Sequence, residues 1–115
     1  MANRYDKMDE YIASMFNVFQ MVNAKAERQR DQRLKMVGLM IYNYVRHLAK
    51  KHEVDLKSIP QQESINLIPV FEYVAYNDIE LYDFSAINVS DVDTTKEADL
   101  ERFALTHVYY ITQGK

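Results

Sequence analysis

At 115 residues with no cysteine, the chain has room for one hydrophobic core and cannot form disulfides or thiolate metal sites. A hydrophobic content of 48% and a charged content of 27% are those of a folded chain, not a disordered one. The net charge of −3 hides a split: residues 1–57 hold eleven Lys/Arg against seven Asp/Glu, and residues 58–115 hold three against ten.

No run nears the roughly 18 uncharged apolar residues of a membrane span. The opening MANRYDKMDE lacks the basic-then-apolar order of a signal peptide, so a cytoplasmic protein with no membrane partner is expected. With only two glycines and two prolines, long helices are favoured over a turn-rich β architecture.

Apolar residues recur at Tyr5, Met8, Ile12, Met15, Phe19, Val22 and Ala26, spaced alternately three and four apart. That spacing predicts a helix over 4–26 with one buried face, or a short coiled-coil seam through which a homodimer would form. The next stretch, KAERQRDQRLK (25–35), contains no helix breaker. An unbroken helix from 4 to 52 would nevertheless be about 75 Å long, far beyond a compact domain of this size. The second apolar stripe (Leu34, Val37, Ile41, Tyr44/Val45, Leu48) is displaced by one residue, or about 100°, from the first. Two helices with a bend near 28–33 follow from that shift; one long helix in an elongated dimer is the alternative.

The segment from Leu34 to Leu48 carries the densest apolar sequence and is expected to be the central helix, ending among the basic residues Lys50–His52. Ser58-Ile-Pro-Gln61 resembles a helix start. Residues 68–84 fit two forms. Their β-branched and aromatic content around Asn77-Asp78 suits a small β-hairpin, whereas Pro69 as a first-turn residue suits a helix burying Val70 and Val74. Thr94-Thr95-Lys96-Glu97 matches a capping box. The stripe Leu100, Phe103, Ala104, His107, Val108 and Ile111 behind it predicts a last helix. The expected fold is therefore mainly α: a single domain over 1–115, a compact bundle of about four helices with the hairpin at 68–84 as an open variant.

Chemistry is sparse. His47 and His52 are five apart, off the i, i+4 spacing that sets two ligands on one helix face, so no metal is expected. His107 lies on an inner stripe as a core histidine. No nucleophile elbow, phosphate-cradling loop or dinucleotide motif occurs, so neither cofactor nor enzymatic activity is expected.

Two segments are candidate contact surfaces. Lys25, Arg28, Arg30, Arg33 and Lys35 can meet an acidic protein surface or nucleic-acid phosphates, or can be solvated helix ends at a bend, with Glu27 and Asp31 among them. Glu72, Tyr73, Tyr76, Asp78, Glu80, Tyr82 and Asp83 mix tyrosine with carboxylate as a protein-binding face does, or are tyrosines at a core edge. This short, cysteine-free, charge-split profile resembles the small regulatory proteins that phages and mobile elements direct at host machinery. The expected function is a non-enzymatic regulatory or inhibitory protein that docks on a larger protein; the alternative is a nucleic-acid-binding module using 25–35.

Overall fold

The computed structural model describes residues 7–60, 65–81 and 95–113, the last three without their side chains. Four helices make up most of it: α1 (Met8–Gln29), α2 (Gln32–His52), α3 (Ile68–Tyr76) and α4 (Glu97–Gln113), with a single 3₁₀ turn at Leu56–Ser58. The radius of gyration is 13.6 Å. Among the described residues there is no strand, and no helix is long and apolar enough to cross a membrane.

The bend between the first two helices is a two-residue turn. Arg30 takes the left-handed conformation (φ 52°), and the Asp31 N–H reaches back to the Ala26 carbonyl at 2.9 Å. This satisfies carbonyls that the last turn of α1 would otherwise leave open. Asp31 then starts α2, its side chain accepting from the Leu34 N–H at 3.0 Å. Aspartate placed between two arginines thus acts as a cap, which explains why a run of good helix formers breaks there.

α1 and α2 pack antiparallel. Gly38 sits where α2 crosses Val22: a Cβ on Gly38 would lie 3.4 Å from a Val22 methyl. Val22, Ala26, Val37, Ile41, Val45 and Leu48 are buried along this seam. The stripe foreseen on α1 therefore faces α2, and a second copy binding through it would have to displace α2. The buried face is also wider than that stripe, since Tyr11 and Val18 are fully enclosed. On α2 the burial is incomplete, as Met36 and Leu39 remain 49% and 44% exposed.

α4 runs antiparallel to α2, with Glu97 near His47 and Lys51 and Glu101 near Tyr44. Leu100, Phe103, Ala104, Leu105 and Val108 close the core. The helix starts at Glu97, with Lys96 offering the carbonyl that receives the Leu100 N–H. Glu97 pairs with His47 and Lys51, and the expected capping box would also need Thr94. Thr94 lies outside the described residues.

The hairpin reading of 68–84 is corrected: Ile68–Tyr76 is helical, and residues 82–84 lie outside the described residues. Pro69 stands in the first turn, where its missing N–H is harmless. Val70 and Val74 then share the inward face. Asn77-Asp78 is the helix end, with Asp78 left-handed (φ 52°) and the Ile79 N–H bonded to the Val74 carbonyl. Ser58 likewise starts no helix among the described residues; it ends the 3₁₀ turn capped by Asp55, and 61–64 lie outside the description.

Three helices end on a non-glycine residue in the left-handed region, where a Cβ is disfavoured. Glu53 (φ 58°) makes no ion pair among the described residues. Glu53→Gly is expected to raise unfolding free energy by about 0.5–1 kcal/mol, measured by urea denaturation; a loss of stability would mean the Glu53 side chain carries an interaction of its own.

Candidate functional site

A polar cluster lies in the interior, and each of the four described helices contributes to it. Tyr11 of α1 and Tyr44 of α2 meet hydroxyl to hydroxyl at 2.8 Å. Tyr44 donates to Glu101 Oε2 of α4 at 2.8 Å, and Tyr73 of α3 donates to the same oxygen at 2.6 Å. Because the Tyr44 proton is committed to the carboxylate, Tyr11 is the donor in the pair. The Tyr11 and Tyr73 rings stack at 3.9 Å, and Tyr11 meets Tyr44 edge-on at 6.5 Å.

Burial, followed by the charges around it, pushes the Tyr44 hydroxyl well above its ordinary value of 10.0. Tyr73 is raised too, by burial first and then by its bond to Glu101. Both stay protonated donors through the physiological range. Tyr73 is therefore tied into the interior scaffold while remaining partly exposed.

The other described members of the acidic and tyrosine-rich segment, Glu72, Tyr76, Asp78 and Glu80, are exposed. Glu72 pairs with Lys7 at 3.2 Å, Tyr76 is exposed, Asp78 is the left-handed end of α3, and the backbone carbonyl of Glu80 accepts from Arg102. Tyr82 and Asp83 lie outside the described residues.

The basic segment is exposed at the α1–α2 turn. Lys35 is half-buried and pairs with Glu27 at 3.7 Å. Lys25, Arg28, Arg30 and Arg33 are exposed, and none has an ion-pair partner among the described residues. Of the two interleaved acids, Glu27 is held by Lys35 and Asp31 by its capping bond.

A further site escaped the sequence reading. At the other end of α2, an open groove of about 580 Å³ runs between α1, α2 and the segment following α2. Phe16, Phe19 and Tyr42 form its floor, with Phe19 4.8 Å from Tyr42 between ring centroids. Val54 and Leu56 make one wall, and Arg46, Lys50 and Lys57 stand around the edge. Asp55 is also there, but its carboxylate accepts the Lys57 N–H at 3.0 Å and so fixes the 3₁₀ turn. The signal in the sequence was the Tyr42, Arg46, Lys50 spacing of four, which aligns three side chains along one ridge.

His107 is buried, and its Nδ1 lies 3.1 Å from the Phe103 carbonyl, which can only accept; Nδ1 therefore carries the hydrogen. Among the described residues no three His, Asp or Glu side chains converge as a metal site requires. No known protein family, curated protein or solved structure matches the chain.

Tyr44→Phe removes the acceptor from the enclosed Tyr11 hydroxyl and one donor from Glu101. It is expected to lower unfolding free energy by about 1–3 kcal/mol, read by urea denaturation; an unchanged midpoint would show that the cluster carries no stability.

Burial, opposed by the bond to Phe103 and helped by the charge of Arg33, lowers the His107 pKa below 6.5. A depressed histidine contributes stability that is complete above the unfolded value and is lost as pH falls through the folded one. Acidification below about pH 6.5 should therefore destabilise the wild type more than His107→Asn, measured as the change in melting temperature between pH 7.5 and 5.5. Equal changes would contradict a buried neutral imidazole.

Proposed function

We propose that the chain is a non-enzymatic regulatory or inhibitory protein that works in the cytoplasm by docking on a larger protein, with the α1–α2 turn as its contact surface. The supporting observation is a set of cations that outnumbers the acids beside it: Lys25, Arg28, Arg30 and Arg33 are exposed and have no ion-pair partner among the described residues, in a chain of net charge −3. The basic residues His47 and Lys51 on α2, by contrast, are answered by Glu97 of α4. An acidic partner surface would supply what the chain itself does not, steering encounter and fixing register. Arginine suits that role because its planar fork binds carboxylates in pairs of hydrogen bonds.

The same cations suit phosphates, so the test must separate the two. The wild type and an Arg28→Glu/Arg30→Glu/Arg33→Glu variant are immobilised in turn and exposed to an extract of the source cells at physiological salt. Recovery of the partner is expected to fall about tenfold or more, as for three contacts of about 0.5 kcal/mol each, with melting temperature unchanged. Unchanged recovery would overturn the reading. Wild-type binding to a mixed-sequence DNA or RNA, with an affinity that drops steeply as salt rises, would replace it with the nucleic-acid alternative.

A further inference from the structure

We infer that the groove between α1, α2 and the 3₁₀ turn holds an acidic peptide segment of a partner protein, with a large apolar side chain seated on the Phe16–Phe19–Tyr42 floor. The inference rests on the docking reading only for the class of ligand, a protein. The surface is a different one, at the opposite end of α2 from the α1–α2 turn.

Charge decides the chemistry of the occupant. The basic residues of α2 that face α4, His47 and Lys51, have a partner within the fold in Glu97, at 3.0 and 3.5 Å. Those that face the groove are not: Arg46, Lys50 and Lys57 have no ion pair among the described residues. Asp55 offsets them only in part, as one carboxylate among three cations. Arg46 and Lys50, four apart, line one edge, and Lys57 stands on the segment beyond Val54. Carboxylates on either side of an apolar anchor would each meet a cation, whereas a basic segment would be repelled.

Shape decides the size of the occupant. A small amphipathic acid binds best in a pocket that encloses most of its surface, and this groove is open along its length. The lining sets aromatic rings beside cations. An apolar side chain projecting from a peptide reaches both, as in the docking of amphipathic helices into grooves.

Random peptides of about 14 residues, four helical turns, are displayed against the immobilised full chain, with an Arg46→Glu/Lys50→Glu chain for counter-selection. Enriched peptides are expected to carry an aromatic residue, Leu or Met flanked by Asp or Glu. A synthetic peptide of that consensus should bind the wild type and lose about tenfold or more in affinity, about 1.4 kcal/mol, to the charge variant. Phe19→Ala should lose a similar amount. The charge variant changes only exposed side chains, so its circular dichroism and melting should match the wild type even if Phe19→Ala is destabilised.

The Arg28→Glu/Arg30→Glu/Arg33→Glu protein should bind the peptide normally. Equal loss in that protein would reduce the effect to net charge and overturn the inference. So would an absence of enrichment, a basic or uncharged consensus, or phosphatidylglycerol vesicles binding with the same dependence on Arg46 and Lys50. None of these results bears on the extract capture, which depends on the other end of the molecule.

Discussion

Tyr11, Tyr44, Tyr73 and Glu101 form a hydrogen-bonded unit in which each of the four helices supplies one residue. A half-buried carboxylate needs donors, and two tyrosine hydroxyls aimed at one oxygen provide them. The apolar seams between helices tolerate small slides, because dispersion and burial carry little direction. The hydroxyl chain does not, because its lengths and angles hold only when all four helices stand in register. It also fixes the short α3, which has nine residues and little buried surface of its own. The Tyr11–Tyr73 stack and the Ser14 bond to the Asn66 carbonyl at 2.7 Å complete that attachment.

With the acids of α4 drawn toward α2, the outer surface of the first two helices is left basic. Glu97 answers His47 and Lys51, and Glu101 is taken up by tyrosines. Lys25, Arg28, Arg30 and Arg33 at one end and Arg46, Lys50 and Lys57 at the other remain without partners among the described residues. The charge split along the sequence is thus compensated only in part within the fold, and the uncompensated part defines the surfaces on which the functional reading stands.

The helical architecture was legible because periodicity is a local property. The one-residue displacement between the stripes of α1 and α2 placed the bend correctly, since a helix cannot present two faces to one neighbour. Tyr11 and Val18 were missed because α1 is packed by both α2 and α3, which widens its buried face beyond a single three–four stripe. Glu101 carried no signal in the sequence, because its role depends on Tyr44 and Tyr73 arriving from two other helices. Within 68–84, propensities for strand and for helix were balanced, and Ile68–Tyr76 is a helix that seats Val70 and Tyr73 against the rest of the core. Of the groove, only the Tyr42, Arg46, Lys50 ridge was legible in the sequence, because the rest depends on the pairing of Phe19 with Tyr42 and on the 3₁₀ turn folding back.

The central claim is that one polar unit binds all four helices together, and a double-mutant cycle addresses it directly. Tyr73→Phe, Glu101→Gln and the double variant are compared with the wild type by urea denaturation. If Tyr73 and Glu101 act through their shared bond, the two losses are non-additive, with a coupling energy of about 1 kcal/mol or more. Additive losses would show that α3 is held by packing alone and would contradict the account.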